Sequence, residues 1–230
     1  MFKDFKLDFA DFSDFKIDLG QSFKSRYIKP PLTKEISEVN LKYSDAKKLA
    51  DSIDLKKNER IFCIINGSFI FGDFIEALVV KNNWHIKSMT ISTLSMSENN
   101  VDSLANLING GFVNELNLIV SDYFYSHERS NIIPYIYQEL DKENKLQLAV
   151  AGTHCKVCIF ETYNNGFVVI HGSANLRSSQ NIEQFVVEES ETLYRFNKEY
   201  QDSIIKKFKT INKAIRGKEL WHQVQADTQI

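Results

Sequence analysis

The sequence predicts an α/β domain whose mixed, largely parallel sheet is flanked by helices. One observation is that helical patterns alternate four times with short apolar runs between Tyr43 and Gly152, as in folds whose strands are connected through helices. A second is that the 230 residues are 43% hydrophobic and 25% charged, which is enough apolar material to bury a full core. We therefore expect one domain, with shorter segments before and after it.

Each of the four repeats consists of a predicted helix followed by a predicted strand. The helices have apolar residues at helical spacing, and the strands are apolar runs of strand length. Ser44 is a capping residue for the first helix, and Gly110-Gly111 ends the third. In chain order the pairs are "SDAKKLADSI" with "RIFCII", "GDFIEALVVKNN" with "HIKSMTIST", "NNVDSLANLINGG" with "LNLIVS", and "SNIIPYIYQELDKEN" with "LQLAVAG".

The last third of the domain has a different pattern. In "KVCIFETYNNGFVVIHGSANL" two apolar runs are joined by Asn165-Gly166, a strong signal for a hairpin with a two-residue turn. "NIEQFVVEES" is a further predicted strand, and residues 191–215 form a long predicted amphipathic helix. The apolar stripe of that helix consists of Leu193, Phe196, Tyr200, Ile204 and Phe208.

The chain divides into an arm and linker over residues 1–42, the α/β domain over 43–216 and a tail over 217–230. The arm repeats "DF" at Asp4, Asp8, Asp11 and Asp14 and has the spacing of one amphipathic helix. Its polar positions carry at least as many acids as lysines, which favours packing on the domain or on a partner over membrane binding. Pro30-Pro31 marks the linker.

Charge and cysteine content limit the classes of function. The formal net charge is −2, so contact with nucleic acid requires a local basic patch. The three cysteines have no framework spacing, which favours a reducing compartment without disulfides. The sequence has neither the apolar core of a signal peptide nor an apolar run long enough to span a bilayer. These features predict a soluble, cytoplasmic protein.

The predicted hairpin brings polar residues together. With a two-residue turn, Lys156 pairs with Asn175, Cys158 with Ser173, and Phe160 with His171. Because side chains alternate along a strand, His154, Lys156, Ser173 and Asn175 then share one face. A three-residue loop would reverse this inference.

Cys155 and Cys158 raise the alternatives of a zinc site or a redox pair. Their spacing points them to opposite faces of an extended strand, whereas zinc ligands in Cys-x-x-Cys sit on a tight turn, and the chain has no second ligand pair. No helix start follows to acidify a thiol. We interpret both cysteines as small packing residues and expect no metal.

A face with histidine, lysine, serine and asparagine suits phosphate chemistry. Lysine supplies a fixed positive charge, the hydroxyl and the amide supply neutral donors, and histidine can attack phosphorus to form a covalent intermediate. Displacement at a phosphodiester in two steps needs both a nucleophile and a proton donor. One histidine cannot be both.

These residues resemble the phospholipase D superfamily, whose signature is H-x-K-x4-D followed by G-S-x-N. The downstream "NIE", Asn181 to Glu183, resembles the N-x-E of single-motif bacterial nucleases of the Nuc type. The signature stands in this chain as His154-Cys155-Lys156, Glu161 and Gly172-Ser173-Ala174-Asn175.

The resemblance implies a phosphodiesterase that needs no cofactor. It implies that His154 is the nucleophile, that Lys156, Ser173 and Asn175 bind the phosphoryl oxygens, and that Glu183 orients the histidine. Arg177, just after the motif, is a further candidate for phosphate contact. Since the chain holds one motif, the resemblance implies a homodimer in which a second His154 is the general acid.

Two departures from the signature concern Glu161. It replaces the aspartate of the family, and ten residues instead of the usual six separate it from Gly172. Strand parity places Glu161 on the face opposite His154, so we expect a structural role for it, as for Gly172.

The resemblance does not choose the substrate. The single-motif form favours an endonuclease acting on DNA or RNA; the alternatives are an inactive nucleic-acid-binding or adaptor protein with the same fold, and a phospholipase. "SDYFYSHERS" is a candidate base-stacking segment or a loop with half-buried aromatics. Gly67-Ser68 is a candidate anion-binding turn, and His171 could touch substrate.

Overall fold

A computed structural model describes residues 27–28, 43–66, 70–176 and 181–210. The rest of the predicted arm and linker, the tail from 217, the turn Gly67-Ser68 and Arg177 lie outside these ranges. Among the described residues, the first helix begins at Tyr43.

The described strands form one eight-stranded mixed sheet in the order β1-β2-β8-β7-β6-β3-β4-β5. Parallel pairing is confined to β3, β4 and β5, and the other neighbours are antiparallel. The sheet is therefore mixed, as predicted, but antiparallel pairing predominates where parallel pairing was expected. The strands are β1 (Tyr27–Ile28), β2 (Arg60–Asn66), β3 (Ile86–Thr93), β4 (Leu116–Ser121), β5 (Leu146–Ala151), β6 (Val157–Thr162), β7 (Phe167–Gly172) and β8 (Ile182–Glu189).

Helices cover both faces of the sheet, which confirms the predicted α/β class. The main core lies between the sheet and α1, α2, α3 and α5, and it contains Phe74, Phe160 and Phe185, all fully buried. A smaller cluster of Ile159, Val169 and Tyr194 lies under α6 on the second face. The helices in the described ranges are α1 (Tyr43–Ser52), α2 (Phe71–Lys81), α3 (Glu98–Asn109), α4 (Asp122–His127), α5 (Ile132–Leu140) and α6 (Glu191–Phe208). None of them is long and apolar enough to cross a bilayer.

The strand directions create one edge of the sheet at which most of the strands end and the others begin. The pairings make β2, β3, β4, β5 and β7 end where β6 and β8 begin. We call this side the carboxyl edge; Thr93, Ser121 and Gly172 end strands there, and Val157 and Ile182 begin them. In open α/β sheets ligands bind outside the carboxyl ends of the strands.

The hairpin of β6 and β7 is confirmed, but the predicted turn is wrong. The Thr162 N–H donates to the Gly166 carbonyl oxygen at 2.9 Å, so the loop has three residues, 163–165. A two-residue turn of the predicted type needs left-handed backbone at both central residues, and of the pair only Asn165 has it, with φ of 60°.

The register is therefore also different from the prediction. Cys158 pairs with Ile170 and Phe160 with Val168, where Ser173 and His171 were expected. The one-residue change in loop length reverses which residues share a face. Strand parity alone now places the side chains of Ser173 and Lys156 on opposite faces of the sheet, so any convergence of these residues needs another cause.

Helix α6 is confirmed, but its most buried side chains are not those of the apolar stripe. They are Tyr194, Asn197 and Gln201, whereas Phe196 is 68% exposed. The amide groups of Asn197 and Gln201 donate to the backbone carbonyl oxygens of Leu193 and Val157. The sheet surface under α6 also includes the buried hydroxyl groups of Thr90 and Ser92.

The end of α6 also differs from the prediction. The helix stops at Phe208, short of residue 215, and Lys209 takes an extended conformation. Lys209 pairs with Ala149, and the Thr210 N–H donates to the Leu148 carbonyl oxygen at 2.8 Å. The chain leaves the helix because it extends the sheet beside β5.

Candidate active site

The predicted site residues that the structure describes lie at the carboxyl edge, with the exception of Glu161. His154 and Lys156 belong to the connection before β6, Gly172 ends β7, Ser173 and Asn175 follow it, and Glu183 is the second residue of β8. Three neighbouring strand ends therefore carry these residues.

Gly172 joins the two halves of the motif. Its N–H donates to the Lys156 carbonyl oxygen at 3.2 Å. On its other side, a Cβ at Gly172 would lie 2.1 Å from the Gln184 carbonyl oxygen and 2.6 Å from the Phe185 Cα. Only glycine permits this approach of β7 to β8, because the obstacle is backbone and cannot turn aside.

Ser173 is held tightly by the start of β8. Its N–H donates to the Gln184 carbonyl oxygen at 2.8 Å, and its Oγ accepts the Gln184 N–H at 3.0 Å. The hydroxyl proton of Ser173 is donated to the Glu183 carboxylate. Since a hydroxyl has one proton, Ser173 must release Glu183 before it can donate to a phosphate.

The segment after Ser173 crosses the start of β6. The Leu176 N–H donates to Thr93 Oγ1 at 3.3 Å, and Leu176 forms a bridge with Met96 beyond the end of β3. β6 lies between β7 and β3, so the segment has to span about 10 Å. Three residue steps cover about that distance when extended, so Asn175 passes beside the strand that follows Lys156.

Asn175 has an unused acceptor at this crossing. Its Oδ1 is buried and has no hydrogen-bond partner among the described residues. A buried acceptor without a partner is costly, and only a hydrogen-bond donor that binds beside Asn175 would relieve this cost.

His154 and Lys156 lie in the connection between β5 and β6. The Lys156 Nζ donates to the His154 carbonyl oxygen at 2.7 Å, which ties the two residues together through the backbone. His154 is exposed and Lys156 is half-buried. The ammonium group has two further protons, so it can bind a phosphate oxygen while it keeps this bond.

Solved structures resemble this arrangement of elements. The phospholipase D family member Nuc from Salmonella typhimurium is 17% identical at a TM-score of 0.47, covering 65% of this chain and 97% of that chain. NucT from Helicobacter pylori is 15% identical at 0.48, covering 65% and 98%. Phosphatidylserine synthase from Haemophilus influenzae Rd KW20 is 13% identical at 0.45, covering 68% and 40%.

The chain is similar to structures of the phospholipase D family. A likeness of this extent transfers neither activity nor substrate from those proteins to this chain. The sequence matches no protein-family model and no curated protein. What bears on phospholipase D-like chemistry is therefore the placement of the motif residues.

Glu161, the residue that departs from the phospholipase D signature, lies far from the others. It is near the end of β6, four residues beyond Val157, which is about 13 Å along a strand. It forms an ion pair of 2.8 Å with Lys87, and both side chains are partly exposed. Lys87 also ends a second H-x-K triplet, His85-Ile86-Lys87, which has no G-S-x-N of its own after it. The ion pair with Glu161 gives Lys87 a structural partner.

The cysteines have different environments. Cys155 is exposed beside the motif, whereas Cys158 and Cys63 are buried. Burial raises the pKa of the Cys63 thiol to about 12 and raises the pKa of Cys158 as well. Within the described ranges, no group of three or more histidine, cysteine or acidic side chains is arranged to hold a metal ion.

His171 is half-buried on the second face of the sheet, in register with Val157. Burial lowers its pKa, the charge of Glu188 acts against this shift, and Arg60 adds to it. Glu188 and Arg60 are themselves paired at 2.5 Å. His171 therefore stays neutral to lower pH than an ordinary histidine.

The segment "SDYFYSHERS" is a helix rather than a loop over Asp122–His127. Phe124 is buried in the core, and the Arg129 guanidinium lies 5.8 Å from the Tyr125 ring centre. Tyr123 and His127 are exposed. Phe124, one of the aromatic residues of this candidate base-stacking segment, is therefore unavailable to a ligand in this structure.

Thr93 is a residue that sequence reasoning missed. It is buried at the end of β3, accepts the Leu176 N–H, and donates to the Ser95 carbonyl oxygen at 2.9 Å. The sequence contained one signal for it, since Met89 to Ser92 alternate apolar and polar residues and Thr93 is polar where this alternation predicts an apolar residue. Its contact with a residue 83 positions later was not predictable.

Proposed function

We propose that this protein is a phosphodiesterase, and more specifically a metal-independent endonuclease that cleaves DNA or RNA through a covalent phosphohistidine. The observation that carries the proposal is the path of residues 173–176 across the start of β6. This path brings Asn175 toward the strand end that bears Lys156 and His154. The result is a nucleophile, a cation and an amide at one edge of the sheet.

In the first step, the unprotonated imidazole of His154 attacks phosphorus. A P–N bond forms, the P–O bond to the leaving group breaks, and the leaving oxygen takes a proton from a general acid. The ammonium of Lys156 and the amide N–H groups of Asn175 stabilise the charge on the phosphoryl oxygens. In the second step, water attacks phosphorus, the P–N bond breaks to free the imidazole of His154, and a proton of the water passes to the group that was the general acid, which restores it.

The general acid of this proposal is the partner's His154 in a homodimer. Each chain contains one H-x-K motif followed by G-S-x-N, and one imidazole cannot attack phosphorus and protonate the leaving group in the same step. An isologous interface at the carboxyl edge would supply the second imidazole. The exposure of His154 in the single chain leaves it available to such a partner.

Glu183 has the role of a positioning residue in this proposal. Its carboxylate accepts the hydroxyl proton of Ser173, and Ser173 is itself bound to Gln184. This connection fixes the start of the segment that carries Asn175. Binding of phosphate by Arg177 remains part of the proposal.

The test is to incubate the protein with plasmid DNA, single-stranded DNA and RNA in EDTA, beside His154→Ala. Cleavage by the wild type alone supports the nuclease. Binding without cleavage by either protein would instead support an adaptor that keeps the fold. Release of phosphatidic acid from vesicles, without nucleic-acid cleavage, would support a phospholipase.

Sizing in solution, with and without an oligonucleotide, tests the shared site. The proposal requires a dimer at the concentration at which cleavage is measured. Mixing wild-type chains with an excess of His154→Ala chains gives a second test. Because the proposed site needs both imidazoles, heterodimers should be inactive, so the excess should lower the activity of the wild-type chains; unchanged activity per wild-type chain would contradict a shared site.

A further inference from the structure

We propose that Tyr123 forms a base-stacking subsite for single-stranded nucleic acid beside the candidate active site. This inference rests on the proposed nuclease function and specifies its substrate class. It concerns the outer surface of α4, which the proposed chemistry does not use.

The Tyr123 ring is presented to solvent by a firmly anchored helix. Its side chain is 65% exposed, whereas the next residue, Phe124, is 2% exposed and belongs to the main core. The Ser121 hydroxyl caps α4 by accepting the Phe124 N–H at 2.9 Å. An exposed aromatic ring on a fixed backbone loses little entropy when a ligand stacks on it.

A second ring orders the Tyr123 side chain. The His127 ring centre lies 3.9 Å from that of Tyr123, at an interplanar angle of 32°. The His127 Nδ1 is 2.7 Å from the Tyr123 carbonyl oxygen, which holds the imidazole in place. One side of the tyrosine ring is therefore occupied by His127, and its exposure leaves the other side accessible to a flat ligand.

Backbone contacts connect this ring pair to the candidate active site. The Ser121 Oγ donates to the Leu94 carbonyl oxygen at 2.7 Å. Two residues further on, Met96 forms the bridge with Leu176, the end of the segment that carries Asn175. Tyr123 and Asn175 are thus held by the same loop after β3.

The distance suits a neighbouring nucleotide. α4 begins where β4 ends, and β4 is two strands from β6 in the sheet, about 10 Å. The connection that carries His154 runs from β5 back to β6 and so crosses the ends of β4 and β3. A nucleic-acid strand whose phosphate is bound at Lys156 therefore passes close to Tyr123.

The charges around Tyr123 favour a base over a phosphate. The helix begins with Asp122, whose carboxylate accepts the Tyr123 N–H at 2.8 Å, and Glu128 follows its last residue. Two acids repel a phosphate, but they do not oppose stacking of a neutral base. Because the faces of bases in a duplex are covered by their neighbours, the subsite selects single strands.

The experiment compares Tyr123→Ala with Tyr163→Ala, a matched loss of an exposed tyrosine. Tyr163 is 55% exposed in the β6–β7 loop, at the edge opposite the candidate active site. Cleavage of a single-stranded oligonucleotide and of its duplex is measured for both variants, for Tyr123→Phe and for the wild type. Binding of the same oligonucleotide to His154→Ala, with and without Tyr123→Ala, separates affinity from chemistry.

We expect Tyr123→Ala to weaken single-strand binding and cleavage about tenfold, with Tyr123→Phe and Tyr163→Ala near the wild type. A series of oligonucleotides carries one abasic nucleotide at successive positions on either side of the cleaved bond. At one position, the missing base should lower cleavage by the wild type about tenfold and leave cleavage by Tyr123→Ala unchanged. Equal losses in both tyrosine-to-alanine variants, or equal activity on duplex and single strand, would overturn the subsite while leaving the nuclease intact. Absence of cleavage by the wild type would instead contradict the proposed function.

Discussion

The Ser173 hydroxyl donates to the Glu183 carboxylate, and the same oxygen accepts the Gln184 N–H at 3.0 Å. Ser173 therefore connects β8 to the segment that carries Asn175. In this arrangement Ser173 holds the site together, and it donates to phosphate only after Glu183 has released it.

This connection predicts that Ser173→Ala and Glu183→Gln are coupled. Each single variant should lower kcat about 10- to 100-fold, because a charge-assisted hydrogen bond is lost. The double variant should be little worse than either, since both remove the same bond. Steady-state kinetics on an oligonucleotide checks this, and losses that multiply would show that the two residues act independently.

Gly172→Ala should destabilise the protein. The added methyl group would meet the backbone of Gln184 and Phe185 at 2.1 and 2.6 Å, so β7 and β8 must separate. We expect a loss of about 2–3 kcal/mol in the free energy of unfolding, measured by urea denaturation.

Gly152→Ala is the matched control for that substitution. Gly152 is exposed at the same edge, and a Cβ there would have no neighbour within 4 Å. It should leave stability nearly unchanged. Equal effects of the two substitutions would refute the close approach of β7 and β8.

Glu161→Gln should have little effect on cleavage. Its partner Lys87 lies 2.8 Å away, and the two side chains are 27% and 35% exposed, so the pair contributes at most about 1 kcal/mol to stability. The measurements are kcat and the midpoint of urea unfolding, with Lys87→Met as the control that removes the same pair. A large fall in kcat for Glu161→Gln alone would give the residue a role in catalysis.

His171 should make stability depend on pH. Because burial lowers its pKa in the folded protein, the unfolded chain binds the proton more readily. The stability present above about pH 6.5 is therefore lost as the pH falls from there toward the lowered pKa. The free energy of unfolding, measured in urea from pH 7.5 to 5, should show this loss in the wild type and not in His171→Gln. A difference in free energy between the two proteins that stays constant with pH would contradict the prediction.

The repeats of helix and strand could be predicted because each strand is an apolar run and each helix has apolar residues at helical spacing. The turn at residues 163–165 could not, because Asn-Gly is compatible with two loop lengths and the pairing of the strands decides between them. Strand parity predicts that Lys156 and Asn175 share a face, and the observed register overturns that derivation. The path of the segment that carries Asn175 depends instead on the contact of Leu176 with Thr93, which is distant in sequence.

The orientation of α6 shows a similar limit. Its pattern predicts that Phe196 is buried, but the side of a helix that becomes buried also depends on the surface against which the helix packs. The neighbour here is a sheet surface with Thr90 and Ser92, and the buried side chains include Asn197 and Gln201. The polarity of a sheet face follows from the strand order, which the helix sequence does not contain.

The most direct test of the central claim is to trap the covalent intermediate. The wild type is mixed with an end-labelled oligonucleotide in EDTA, quenched with alkali and digested, and the peptides are analysed by mass spectrometry. The account predicts a nucleotide adduct on His154 that resists alkali and is released by acid, and none with His154→Ala. An adduct on another residue, or cleavage by His154→Ala at the wild-type rate, would contradict it.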